Sequence, residues 1–251
     1  MRMMKPDRQA LEALLETRRL HRTLVPLGST EPIRSEQAGG EVAPTGIASL
    51  DRRLLGGLPR GQLSEIIGDR STGRSALLAA VLGEATRRGE LVALVDPCDA
   101  FDPASGMAAG IDLSRLLWIR GDGHDPALGR ALKAIGLLLQ SGDFGIVGLD
   151  LVDCSRCALR DVPFTTWRRM QRYLEGGRTA CVLVGSRPMG RGPRGVTLVL
   201  RATQPVGRWT GQGGRPLLEG LTTCVRIRRA CRPGADGAEK VELTLEAPWS
   251  A

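Results

Sequence analysis

The chain has 251 residues, of which 42% are hydrophobic and 25% charged, ordinary values for a globular protein with its own core. Its net charge of +8 favours anionic partners, nucleic acid first, although an aromatic content of 3% gives no sign of a base-stacking platform. The amino-terminal segment is too charged for a signal peptide and no apolar run is long enough to span a membrane, so we expect a cytoplasmic protein.

Residues 1–25 are predicted to form a separate helix, with candidate partner-binding residues on a partial apolar stripe: Leu11, Leu14 and Leu15. A linker that contains glycine, proline and serine follows over residues 26–43, and the core domain is expected to occupy residues 44–251. The pattern leaves two arrangements open. The helix docks onto a partner or a neighbouring subunit, or it folds back on its own core.

Short apolar strands alternate with helical segments through the core. The predicted strands are 63–67, 91–95, 116–119, 144–149, 180–185, 196–200, 221–227 and 241–245, and the clearest helices after the first strand are 76–82, 126–140 and 164–174. This alternation predicts an α/β fold with a mostly parallel central sheet flanked by helices. Ligands of such sheets bind at the carboxyl ends of the strands.

One loop between an apolar strand and an apolar helix fits the phosphate-binding P-loop pattern at every fixed position except one. It consists of Gly68, Asp69, Arg70, Ser71, Thr72, Gly73, Arg74 and Ser75. Backbone N–H groups of such a loop bind phosphate oxygens, and the final hydroxyl ligates magnesium. Arg74 stands where the pattern has lysine, and a forked guanidinium is not equivalent to a compact ammonium. We therefore expect a P-loop fold whose nucleotide chemistry is weakened or lost.

Asp150 ends a buried apolar strand, which places a carboxylate at the same edge of the predicted sheet as the P-loop. The six cysteines are spread along the chain, and only Cys154 and Cys157 form a C-x-x-C pair. A zinc site needs a second pair or nearby histidines, and the chain has two histidines in all. We interpret the pair as reduced structural thiols and expect no metal.

Several motifs in the same order resemble the bacterial RecA family. They are the segment 45–51 (TGIASLD), the glycine turn 56–61 (GGLPRG), the P-loop, the segment 95–103 (VDPCDAFDP) and the segment 110–112 (GID). The likeness covers roughly residues 44–150 and becomes weaker afterwards. It implies a RecA-like P-loop NTPase core, with Asp150 as the magnesium-binding aspartate of the site.

Three differences from the RecA pattern concern ATP turnover, and the region after Asp150 is also shorter than the first DNA-binding loop of the RecA family. The resemblance implies that Cys98 occupies the position of the glutamate that activates the attacking water, and a thiol without a perturbed pKa is a poor base. A nucleotide-sensing glutamine is matched by Gly185 and Ser186. Together with Arg74, these differences predict a chain without catalytic residues, for which ATP and magnesium are at most weakly bound cofactors.

A short RecA-like chain with an altered ATP site is similar to the ImuA family of damage-inducible accessory proteins. This resemblance implies a non-catalytic adaptor in SOS-induced mutagenic translesion synthesis. Its partners would be ImuB, an inactive relative of Y-family polymerases, and through it an error-prone polymerase, with RecA, single-stranded DNA and a second copy of the chain as further candidates. Two alternatives stay open: a weak DNA-stimulated ATPase in recombinational repair, and a regulator of RecA filaments.

Two basic stretches are candidate DNA-binding sites. One lies on the predicted helix 164–174 and contributes Arg168, Arg169 and Arg172. The other is a glycine-rich loop after a core strand, at the place of the second DNA-binding loop of the RecA family, and contributes Arg187, Arg191 and Arg194. Arginines in either stretch would neutralise phosphates and give salt-dependent binding without sequence preference. A solvated loop or a docking face for an acidic partner remains the alternative.

Overall fold

The computed structural model describes residues 41–122, 126–189, 195–210, 217–229 and 240–246. The predicted amino-terminal helix with Leu11, Leu14 and Leu15, and most of the predicted linker, lie outside these ranges. The end of the predicted linker needs a correction, because Val42–Ala43 forms strand β1 and pairs with β2 (Leu58–Pro59) in antiparallel fashion. Ala43 is fully buried. The core therefore begins before residue 44.

The remaining elements follow the predicted alternation of strands and helices. The helices are α1 (Ala48–Leu54), α2 (Arg74–Arg87), α3 (Pro103–Ala108), α4 (Pro126–Ser141), α5 (Arg156–Arg160) and α6 (Phe164–Leu174), with a 3₁₀ turn at Leu113–Arg115. The strands are β3 (Leu63–Gly68), β4 (Val92–Asp96), β5 (Leu116–Arg120), β6 (Ile146–Asp150), β7 (Ala180–Gly185), β8 (Val196–Thr210), β9 (Leu217–Arg229) and β10 (Lys240–Glu246).

These strands form one large sheet in the described part of the chain, in the order β10-β9-β8-β3-β7-β6-β4-β5. Strands β8, β3, β7, β6, β4 and β5 run parallel to one another. Strands β9 and β10 extend the sheet in antiparallel fashion. The predicted α/β class with a mostly parallel sheet and flanking helices is confirmed. The last strands are longer than predicted, since β8 and β9 continue beyond their apolar segments as paired polar arms.

Helices cover the two faces of the sheet unequally. On one face, buried leucines of α1 and α2 pack against strands from β4 to β10, including Leu198 of β8, Val225 of β9 and Leu243 of β10. On the other face, α4 and α6 pack against β3, β4, β6 and β7. This arrangement leaves the carboxyl ends of β3, β4 and β6 at one edge, where the predicted nucleotide site lies. No helix in the described ranges is both long and apolar enough to cross a membrane.

Candidate functional site

The P-loop connects the end of β3 to the first turn of α2, as the sequence predicts. Gly73 caps α2 in the left-handed conformation, with φ at 91°. A Cβ on Gly73 would lie 2.7 Å from a methyl group of Leu245 and 3.2 Å from one of Leu221. Glycine is therefore required both for its backbone conformation and for the close approach of β9 and β10. Strands β9 and β10 therefore pack directly against the P-loop at Gly73.

Arg74 turns back toward its own loop. Its Nη1 donates a hydrogen bond of 2.7 Å to the carbonyl oxygen of Gly68, and the residue is only 6% exposed. Burial lowers the pKa of the Arg74 guanidinium, and the negative charges of Asp150, Asp153 and Asp69 partly offset this effect. A guanidinium is still a cation at neutral pH. Arg74 therefore places a fixed positive charge at the base of the P-loop, held by a backbone carbonyl.

Asp150 lies at the end of β6, and its carboxylate accepts a hydrogen bond of 2.9 Å from the backbone N–H of Val152. Burial raises the pKa of Asp150 to about 6, and the neighbouring charges of Asp96 and Asp153 add to this effect. The hydrogen bond from Val152 and the cation of Arg74 act in the opposite direction. The site therefore pairs one buried cation with a carboxylate that becomes protonated just below neutral pH.

The start of α2 carries groups of the kind that bind phosphate. The N–H groups at the start of α2 are available to an anion, and the Ser75 side chain is exposed beside them. Asp150 is ionised above its pKa and so suits a divalent cation. In the described ranges, however, no group of three or more histidine, cysteine or carboxylate side chains is arranged to hold a metal ion.

Cys98 follows β4 and lies against a second thiol. Its Sγ is 3.4 Å from the Sγ of Cys154. Burial raises the pKa of the Cys98 thiol and raises that of Cys154 far above its usual range. Neither thiol is a thiolate at neutral pH, so the pair supplies no general base. The sequence did not reveal that Cys154 is the partner of Cys98. Its C-x-x-C motif pairs Cys154 with Cys157 instead, and Cys157 is exposed.

We expect the Cys98–Cys154 pair to form a disulfide when the protein is treated with diamide, which takes up the two thiol hydrogens. The reaction should be slow at neutral pH and faster at higher pH, because the thiolate is the attacking species and both pKa values are raised. Peptide mapping of the oxidised protein measures the product. A Cys157→Ser control should give the same linkage. A bond between Cys154 and Cys157 would contradict the geometry.

The segment after β4 is held rigidly, which fixes the position of Cys98. The buried carboxylate of Asp96 accepts hydrogen bonds from the backbone N–H groups of Ala100 and Phe101, at 3.1 and 2.9 Å. Asp99 has a positive φ of 54°, and its carboxylate accepts hydrogen bonds of 2.7 Å from Nε and Nη2 of Arg120. Asp96 lies at the carboxyl end of a central strand, where ligands of such sheets bind. Its role here is to order the following segment through these hydrogen bonds.

The predicted DNA-binding residues are only partly described. Arg168, Arg169 and Arg172 are exposed on α6, whose other side buries Trp167 and Met170. Arg187 is exposed in the segment after β7. Arg191 and Arg194 lie outside the described residues, as do Leu11, Leu14 and Leu15.

Glu65 is a buried carboxylate that sequence reasoning missed. It accepts hydrogen bonds from the backbone N–H of Met189 at 2.7 Å and from the Thr197 hydroxyl at 3.2 Å. It therefore holds Met189, two residues after Arg187, and the start of β8. The signal was present in the sequence, because a single carboxylate within an apolar strand needs hydrogen-bond partners when it is buried.

Comparisons with known proteins agree with this architecture. The profile of the RecA N-terminal domain matches residues 15–159. The chain is 38% identical over 113 residues to the protein RecA of Symbiobacterium thermophilum, a match that covers 45% of this chain and 31% of that protein. It is 36% identical over 118 residues to the protein RecA of Leifsonia xyli, with 47% of this chain and 32% of that protein covered.

The protein RecA of Chlorobaculum tepidum is similarly related, at 36% identity over 113 residues. The matched stretch spans about a third of the length of these relatives. The family profile covers more than half of this chain, and the matched part contains β3, the P-loop, α2, β4 and β6, the elements that build the site. The chain therefore belongs to the RecA family, through its RecA N-terminal domain.

Proposed function

We propose that this protein is a non-catalytic RecA-like adaptor that acts in DNA repair, in a mutagenic translesion-synthesis complex of the cytoplasm. The observation that carries the proposal is the position of Arg74, whose guanidinium is bound to the Gly68 carbonyl inside the P-loop. A lysine at this position of a P-loop reaches the β- and γ-phosphates. A buried arginine tied to the loop backbone has first to break that hydrogen bond, which is a cost for nucleotide binding.

The surroundings of Cys98 support the absence of turnover. ATP hydrolysis needs a group that orients or activates the attacking water. Cys98 stands at the place implied for that group, and its sulfur contacts Cys154 rather than a charged partner. Because burial raises the pKa of Cys98, the thiol stays protonated and cannot accept a proton from water.

The resemblance to the ImuA family supports the choice of partner. It points to ImuB, and through ImuB to an error-prone polymerase, with RecA and a second copy of this chain as further candidates. The relatives named above are RecA proteins about three times as long as the matched stretch. Any activity carried over from them to this chain is therefore a proposal. An adaptor of this kind needs a stable fold and exposed binding surfaces, and it needs no nucleotide turnover.

A second function, a weak DNA-stimulated ATPase, is favoured by one observation. Ser75 is exposed at the start of α2, and Asp150 ends β6 with a pKa of about 6, so that it is ionised at neutral pH. These two side chains are of the kind that ligates Mg²⁺ beside a nucleotide. In this alternative, Arg74 leaves the Gly68 carbonyl and contacts phosphate when ATP binds.

Measurements of ATP binding and ATP hydrolysis separate the two functions. They use the purified full-length chain, with and without single-stranded DNA. We expect no turnover in the natural chain. An Arg74→Lys variant should bind ATP at least about tenfold more tightly, or about 1.4 kcal/mol, because a lysine reaches phosphate without the fork geometry of arginine. It should still not hydrolyse ATP, since Cys98 is unchanged. ImuB binding by the same preparations should not depend on ATP.

The matched control is Arg70→Lys, the same exchange in the same loop. Arg70 is exposed and lies 4.0 Å from Asp153 at its closest, so this variant should bind ATP like the natural chain. DNA-stimulated turnover in the natural chain that disappears in an Arg74→Gln variant would overturn the adaptor and establish the ATPase. ImuB binding only in the presence of ATP would also contradict the proposal.

A further inference from the structure

The two glycines of the P-loop lie against the last three strands of the sheet. A Cβ on Gly68 would lie 2.7 Å from the carbonyl oxygen of Leu200 in β8. Three side-chain methyl groups would lie within 4 Å of a Cβ on Gly73, and they belong to Leu245, Leu221 and Leu200. We refer to these three residues as the loop-facing leucines. Each of the strands β8, β9 and β10 therefore contributes one leucine to the loop.

These contacts arise because β8, β9 and β10 continue past the end of β3. Strand β3 ends at Gly68, which pairs with Leu200 of β8. Leu200 in turn pairs with Val225 of β9, and β9 reaches the loop at Leu221, which precedes Val225 in the chain. Leu221 pairs with Leu245 of β10, so the two side chains share one face of the sheet. The register of the last strands therefore sets the position of the loop-facing leucines.

The backbone of the P-loop depends on Gly73 for its shape. Gly73 has φ at 91° and caps α2, so its conformation decides where the first N–H groups of that helix point. Ser71 also has a positive φ, at 58°, although it is not a glycine. The Thr72 hydroxyl donates a hydrogen bond of 2.8 Å to the carbonyl oxygen of Asp69. That bond joins the loop to itself, whereas the loop-facing leucines join it to the sheet.

We propose that Leu221 and Leu245 are positioning residues of the P-loop, and that they couple its affinity for a triphosphate group to the pairing of β9 with β10. They act through Gly73, because the N–H groups that follow it converge on a phosphate only while its left-handed backbone is held in place. The coupling is reciprocal, so a triphosphate that binds the loop stabilises the pairing of β9 with β10 by the same factor. Strand β10 has β9 as its one neighbour in the described sheet, so its backbone reports this effect.

The positioning role goes beyond the proposed function, because it concerns how the loop is held and not whether ATP is hydrolysed. Strands β8, β9 and β10 lie outside residues 15–159, the stretch that matches the RecA N-terminal domain. The loop therefore depends on side chains that the matched stretch does not contain. ATP turnover by the natural chain would overturn the adaptor and leave the positioning role intact.

Hydrogen exchange of the full-length chain, followed by mass spectrometry during a titration with inorganic tripolyphosphate, tests the proposal. Protection of the amides of residues 69–76 reports binding at the loop, even where the basic surface binds the polyanion elsewhere. The Leu245→Ala variant should need about tenfold more tripolyphosphate for half-maximal protection of the loop, a typical size for the coupling of two regions. In the natural chain tripolyphosphate should also slow exchange in β10, and Leu245→Ala should lose this slowing.

The matched control is Leu243→Ala, the same exchange on the same face of β10. Leu243 is fully buried and packs in the apolar cluster of α1 and α2, so this variant loses core contacts while the loop-facing leucines stay in place. Its half-maximal concentration should stay within about twofold of the natural value. Leu245→Met keeps the volume of the side chain and should bind like the natural chain. If Leu245→Ala does not fold, Leu245→Val and Leu243→Val replace the alanine pair.

Equal weakening in Leu245→Ala and Leu243→Ala would show a role in core stability alone and would overturn the proposal. Exchange in β10 that does not respond to tripolyphosphate in the natural chain would overturn it too. So would an absence of loop protection in both the natural chain and the Arg74→Lys variant, because no anion site would then exist to be positioned. ATP is titrated in the same way. Tighter protection by ATP than by tripolyphosphate would identify a nucleotide as the source of the phosphates, equal protection would identify the polyphosphate itself, and the weakening in Leu245→Ala is expected with either.

Discussion

An Asp150→Asn variant is expected to be more stable than the natural chain above pH 6, by up to about 3 kcal/mol, and no more stable below about pH 4. In the folded protein, burial and then the charges of Asp96 and Asp153 raise the pKa of Asp150 to about 6, against an ordinary value of 3.8. Above pH 6 the folded chain must ionise a carboxyl that is costly to ionise, and the gap between the two pKa values corresponds to about 3 kcal/mol. Asparagine does not ionise and still accepts the hydrogen bond from Val152.

The direction of the pH dependence follows from how many protons the folded and unfolded states bind. Between about pH 4 and pH 6 the folded state holds the Asp150 proton and the unfolded chain has lost it, so ionisation lowers the stability of the natural chain as the pH rises. Below that window both states are protonated and the two proteins should unfold alike. Urea unfolding at several pH values measures the difference. The control is Asp143→Asn, which makes the same exchange at an exposed carboxyl just before the same strand.

A natural chain more stable than Asp150→Asn at pH 7 would contradict this prediction. It would mean that attraction between Asp150 and the buried cation of Arg74 outweighs the cost of burial. The two effects act in opposite directions on the pKa of Asp150, with burial the larger.

Gly57→Ala is expected to destabilise the protein by about 4 kcal/mol or more. Gly57 has φ at 144°, a conformation that alanine rarely adopts. A Cβ there would be 2.2 Å from the carbonyl oxygen of Ala43 and 2.5 Å from its carbonyl carbon. These atoms belong to β1, which is paired with β2 and cannot move without losing its hydrogen bonds. The free energy of urea unfolding measures the effect.

Gly89→Ala is the matched control for this change. Gly89 also has a positive φ, at 84°, but a Cβ at that position meets no atom within 4 Å. Alanine should therefore cost only about 1 kcal/mol, the price of the left-handed backbone alone. Similar losses in the two variants would show that backbone conformation, and not the contact with β1, decides the cost at Gly57.

The local parts of the fold were accessible from the sequence. The apolar segment before Gly68 and the apolar helix after Arg74 identify the P-loop without any knowledge of distant residues. Strands β3, β4, β6 and β7 are largely apolar segments, because helices bury them on both faces. The same reasoning placed Asp150 at the edge of the sheet that carries the P-loop.

The remaining parts depend on residues that are far apart in the chain. Cys154 forms a C-x-x-C pair with Cys157 in sequence, yet the turn after β6 brings it to Cys98 instead. Arginines scattered through β8 and β9, namely Arg201, Arg226 and Arg228, share a face of the sheet only because of the antiparallel register. The raised pKa of Asp150 depends on burial and on the charge of Asp96 in another strand, while Arg74 of the P-loop acts in the opposite direction. No local pattern carries this information.

The central position of β3 has a consequence for the order of folding. Its two neighbours in the sheet are β7 and β8, and Leu63 pairs with Cys181 while Glu65 pairs with Thr197. During synthesis, β3 therefore leaves the ribosome long before either neighbour exists. Pairing over such a sequence distance is slow, and the apolar edges of β3 stay available to other chains until β8 has been made. The P-loop that follows β3 is therefore synthesised long before β7 and β8, and it is among the last segments to reach its final structure.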